Sequence, residues 1–140
     1  MKRNTNLFEK LIPSVINLIL ISFITYLIAL IFSFDRWLYV QLTFVSVALI
    51  YDFGIAIFFN NRCLGMFMMN TYWDKEYSMK QRLIYALLYS ISYATVIFYI
   101  FVPFDLLILN LLFLQLPFVI SKKTTLHGYL SGDMSTVVEK

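Results

Sequence analysis

Three observations predict an all-α membrane protein, a bundle of four transmembrane helices with both ends in the cytoplasm. The 140-residue chain is 61% apolar and 14% charged, against roughly 45–50% and about 25% in soluble domains. Four segments bounded by charges, turns or a proline are long enough to cross a hydrocarbon core, which takes about 20 apolar residues. The lysines and arginines divide by side. With the N-terminus inside, Lys2, Arg3, Lys10, Arg62, Lys75, Lys80, Arg82, Lys122, Lys123 and Lys140 all face the cytoplasm and only Arg36 faces out, the bias that keeps positive loops inside. By length the chain is one domain, 1–140.

The first run, 11–32, follows Lys2, Arg3 and Lys10. It begins like a signal peptide, but it is too long for one and lacks an Ala-x-Ala cleavage site, so it reads as a retained helix. After a minimal outer loop, 33–36, the second helix spans 37–59. The third and fourth are expected at 83–102 and 104–120. As one helix, 83–120 would run to about 57 Å at 1.5 Å per residue, nearly twice a membrane. Pro103, unable to donate a helix hydrogen bond, and Asp105 mark the turn between them.

Between the second and third helices lies the longest connection, 60–82, which opens with "NNRCLGMFMMNTYW". Its apolar part is too short to span, so it reads as an interfacial or re-entrant helix on the cytoplasmic side. Tyr72, Trp73 and Tyr77 there, and Trp37 and Tyr39 at the outer face, suit the headgroup zone, where a ring is half buried and its polar tip wet. The polar tail, 121–140, is expected to fold back along the inner surface. The lone Cys63 allows no intrachain disulfide and no thiolate cluster.

A charge inside a membrane is costly and by default marks a site. Asp52 sits about seven residues, roughly 10 Å, from the cytoplasmic end of the second helix. Asn17, Tyr89 and Gln115 fall at similar depth, so the four form a candidate polar layer in the inner half of the bundle. A carboxyl so placed is either a proton carrier or a hydrogen-bonded clamp between helices. Tyr85, Tyr89, Ser92 and Tyr99 share a stripe of the third helix, which lines a pathway or packs against neighbours. Gly54 and Gly65 permit close backbone approach. His127 has no second histidine or acidic pair at ligand spacing, so no metal site is expected. No nucleophile elbow, phosphate loop or His-Glu-x-x-His is present, so neither an enzyme nor a cofactor is expected. The net charge of +3 needs only anionic lipid as its partner, not nucleic acid.

Several segments, in order, resemble the RDD proteins, small bacterial membrane proteins named for one arginine and two aspartates. "FEKLIPSVINLILI" is similar to that family's opening helix, and "NNRCLGMFMMNTYW", containing Gly65, to its Gly-x-Thr-Leu-Gly-Lys segment. "SMKQRLIYALLY" is similar to the start of its third helix, and "KKTTLHGYLSGDMSTVV" to its closing Leu-His-Asp motif. The family's arginine falls on Lys10, its first aspartate on Asn17, its second on Gly128 beside His127, and its motif lysine on Met66. Lys10 keeps a charge without the guanidinium fork, whereas Asn17 cannot titrate and Gly128 has no side chain.

The resemblance implies a multi-pass protein of the bacterial inner membrane with a transport-related role, monovalent cation/proton exchange being proposed for some members of the family. A cycle built on the two aspartates cannot run here, which leaves Asp52 as the substitute. The competing expectation is a non-transporting interaction protein, either a bacteriocin-immunity-type protector or an accessory subunit of a membrane complex. Its partner would be another membrane protein or a second copy of the chain.

Overall fold

The computed structural model describes residues 2–98 and 105–139. They are mostly helical. Strand β1 (Lys2–Asn4) leads into α1 (Leu7–Phe32) and α2 (Trp37–Phe58), followed by α3 (Leu64–Met68), β2 (Thr71–Trp73) and α4 (Met79–Ala94). A 3-10 turn, Thr95–Ile97, ends this part. Then come α5 (Asp105–Leu109), a π-helical stretch Asn110–Gln115, α6 (Leu116–Lys122), α7 (Leu126–Leu130) and β3 (Thr136–Glu139).

Two helices, Leu7–Phe32 and Trp37–Phe58, are long and apolar enough to cross a membrane. Helix α1 begins one turn before the apolar run because Asn6 and Glu9 form a reciprocal capping box that satisfies orphan amides. Its end is set by Ser33, whose backbone is left-handed. The buried stripe of α1 is Pro13, Asn17, Ile21 and Thr25, and that of α2 is Gln41, Phe44, Ala48, Asp52 and Ala56. These stripes carry the polar residues, while Ile19, Phe23, Leu30, Ile50 and Phe58 stand exposed, an inversion of the pattern a water-soluble helix needs.

The expected third and fourth helices differ from their forecast. Helix α4 starts at Met79, where Ser78 and Gln81 make a second capping box, and has 16 residues, about 24 Å, before the 3-10 turn. The rest of 83–102, with Tyr99, and the turn at Pro103 lie outside the described residues. The expected 104–120 helix is interrupted: its ladder widens to a π-helix just before Pro117, a residue that cannot donate to the preceding turn. Helices α2 and α4 run antiparallel. At one end Gln41 Nε2 donates to the Val96 carbonyl (3.1 Å), and at the other Arg82 donates to the Ala56 carbonyl (3.2 Å) and to Asn60. Between them lies an apolar core of Ile21, Phe44, Ala48, Tyr93, Val96 and Leu107.

The expectation of helices alone is corrected by a three-stranded antiparallel sheet of order β1-β3-β2. Lys2 pairs with Glu139 and Asn4 with Val137, while on the other side Thr71 pairs with Val138 and Trp73 with Thr136. Thr136, Val137 and Val138 are β-branched residues suited to a pleated strand. The sheet ties the start of the chain, the 60–82 connection and the tail into one cap. The interfacial helix expected in that connection is accordingly only the five-residue α3, followed by a strand.

Candidate functional site

Beneath the cap, α1, α2, α4, β2 and the tail line a partly open cavity of about 60 Å³. Helix α1 contributes Lys10, Ser14 and Asn17, α2 contributes Asp52, and α4 contributes Tyr85 and Tyr89. Asn61, Cys63, Trp73, Thr124 and Thr125 complete much of the wall. Three of the four residues expected in one polar layer therefore share a cavity. Gln115 does not line it.

Asp52 is 1% exposed. Ser90 Oγ donates to its Oδ2 at 2.8 Å, while Oδ1 is buried and has no partner. Asn17 Oδ1 accepts from the Tyr51 hydroxyl (3.1 Å) and from the Gly65 amide (3.3 Å), and the Tyr51 oxygen accepts from the Leu64 amide (3.0 Å). The amide oxygen of Asn17 thus fixes the start of α3 against α1. Tyr89 donates to Ser14 Oγ at 3.1 Å, which joins α4 to α1 and makes no direct bond to Asp52.

Lys10 Nζ is also buried without a partner, as are Asn61 Oδ1 and Trp73 Nε1. The wet tip expected of Trp73 is thereby corrected: β2 turns the indole inward, where its ring meets Tyr85 edge-on at 5.3 Å. Tyr85 and Tyr89 stack at 5.8 Å, and Tyr89 meets Tyr93 edge-on at 5.3 Å, so the tyrosine stripe of α4 is a packed aromatic ladder. Gly65 lies so close to Pro13 that a Cβ would collide with the Pro13 backbone, whereas a Cβ at Gly54 would meet no neighbour within 4 Å. Close approach is required at the first glycine and not at the second. Gly128 is likewise closed, by Thr124 Oγ1 and the Met134 carbonyl. No side chain fits there unless these neighbours move.

Gln115 belongs to a second polar cluster. Its Oε1 accepts from the Leu126 amide (3.1 Å), which orients the side chain, and its Nε2 donates to His127 Nε2 (3.2 Å) and to Asn110 Oδ1 (3.3 Å). His127 Nε2 is therefore an acceptor, also of Ser92 Oγ at 2.6 Å, and the imidazole carries its proton on Nδ1. His127, assigned from sequence to a polar tail, is 5% exposed and locks α7 to α4 and to the π-helical stretch. No periodicity could have paired it with Ser92 and Gln115.

Burial pushes His127 down from its usual 6.5 to about 4. Because the folded state disfavours the proton, stability is complete above about pH 6.5 and is lost as the pH falls toward 4. Thermal unfolding of the purified protein is expected to show a loss over that window approaching about 3 kcal/mol. His127→Gln is expected to flatten it. A loss unchanged in the variant would assign the pH dependence to other groups.

Among the described residues no three His, Cys, Asp or Glu side chains gather as a metal site would require. Compared with known protein families, characterised proteins and solved structures, the chain matches none.

Proposed function

We propose that this chain is a four-crossing protein of the bacterial inner membrane, a degenerate relative of the RDD proteins, with both ends in the cytoplasm. Its proposed role is transport-related: Asp52 takes up and releases a proton or a monovalent cation. The reading rests on one observation above the others, a carboxyl 1% exposed whose second oxygen has no partner and which lines a cavity. A buried carboxylate that served only as a clamp would use both oxygens, since an unsatisfied buried acceptor costs about 1–3 kcal/mol. Apolar outer faces and polar inner stripes on α1 and α2 favour a hydrocarbon surround. The third and fourth crossings would draw on α4 and on the α5 to α6 segment. The basic side of the charge distribution sets the orientation.

Lys10 is part of this reading. Its buried ammonium shares the cavity with Asp52 yet forms no ion pair with it, leaving the carboxylate open to an incoming cation. The protector or accessory-subunit reading is favoured by a different observation, the amide at Asn17 and the closed backbone at Gly128 where the family has carboxylates. Proton flux in proteoliposomes, followed with an internal pH dye during sodium, lithium or potassium jumps, separates the two. Cation-dependent flux lost in Asp52→Asn supports exchange. No flux above empty liposomes from folded protein turns the reading to protection or complex membership.

A further inference from the structure

The cavity under the cap is lined by one ammonium, Lys10, and two carboxylates, Asp52 and Glu9; Glu9 is already paired with Arg3, whereas Lys10 and Asp52 each keep unused hydrogen-bonding capacity. Two donors, Lys10 Nζ and Trp73 Nε1, and two acceptors, Asp52 Oδ1 and Asn61 Oδ1, are buried there without partners. The donors come from α1 and β2, and the acceptors from α2 and the turn after it. An isolated ion answers only half of this set. A cation on Asp52 leaves the hydrogen bonds of Lys10 and Trp73 unmet, and an anion on Lys10 leaves those of Asp52 and Asn61 unmet.

We propose that the cavity binds a small zwitterion of glycine size. Its ammonium would donate to Asp52 and Asn61, and its carboxylate would accept from Lys10 and the Trp73 indole. The two charges of guest and host then neutralise pairwise, and all four orphaned atoms are satisfied by charge-assisted bonds. The volume of about 60 Å³ admits on the order of five water-sized groups, enough for the zwitterionic head. The inference rests on the reading of this cavity as a ligand site, and it names the ligand class independently of any ion movement.

The test is equilibrium binding of radiolabelled glycine to the full chain in nanodiscs, with unlabelled glycine, phenylalanine, acetate, methylammonium and sodium chloride as competitors. Saturable binding displaced by glycine alone is expected. Asp52→Asn and Lys10→Met are each expected to weaken it by at least about tenfold, since each removes a hydrogen bond to a charged group. Should either variant fail to fold, discrimination among the competitors on the unaltered protein still decides the matter. Absence of saturable glycine binding overturns the inference, as does equal displacement by acetate, methylammonium or phenylalanine. Protein that exchanges cations for protons but ignores glycine overturns it while leaving the exchange reading intact. Glycine binding without cation-dependent flux supports the inference and removes the exchange reading.

Discussion

Asp52→Asn is expected to bring cation-dependent proton flux down to the level of protein-free liposomes while leaving the protein folded. Asparagine matches aspartate in shape, and its amide oxygen can still accept from Ser90, whose Oγ lies 2.8 Å from Oδ2 in the native protein. What disappears is the titratable oxygen that has no partner, and with it the charge that would hold a proton or a cation. Removing a buried charge also lifts a desolvation penalty, so the variant should melt no lower than the native protein. Asp52→Glu is the one replacement expected to retain flux. If Asp52 were only a clamp, all the substitutions would act on melting temperature and none selectively on flux, and paired measurements on the same preparations distinguish the outcomes.

The largest structural effect is expected from Gly65→Ala. A methyl group at this position meets the Pro13 backbone, which has no rotamer with which to yield, so α3 must move away from α1. Overpacking of this kind costs about 1–3 kcal/mol. It also pulls the Gly65 amide from Asn17 Oδ1, now 3.3 Å away, and unsettles one wall of the cavity. Gly54→Ala provides the contrast: no neighbour lies within 4 Å of the added carbon, and replacing an interior helix glycine favours the helix by roughly 0.5–1 kcal/mol. Thermal unfolding should therefore rank Gly54→Ala at or above the native protein and Gly65→Ala well below it. Equal stability of the two variants would contradict the close approach at Pro13.

What could be read from the sequence follows from the range over which each signal acts. The first two helices announce themselves by uninterrupted apolar runs, and their limits in the structure, Leu7–Phe32 and Trp37–Phe58, differ from the expected 11–32 and 37–59 mainly through the capping box at Asn6. Asp52 was visible because a charge in an apolar run is conspicuous. Its neighbours across the cavity were harder to see. Depth along a helix put Asn17 and Tyr89 near Asp52, but the same arithmetic also selected Gln115, which turns instead to His127; depth carries no information about which face a residue takes. The cap was invisible because its strands are three or four residues long, too short to show alternation, and come from distant parts of the chain. Trp73 was misplaced for the same reason, since the strand that turns its indole inward exists only through pairing with β3.

The central claim is that Asp52 takes up and releases an ion inside the cavity, and carbodiimide labelling addresses it most directly. Dicyclohexylcarbodiimide enters apolar sites and converts a protonated carboxyl to a stable acylurea, which peptide mass spectrometry locates. Labelling is expected at Asp52 in the membrane-embedded protein, falling as the pH rises and suppressed by whichever of sodium, lithium or potassium supports flux. Absence of an adduct at Asp52, or labelling indifferent to both pH and cations, would contradict the account.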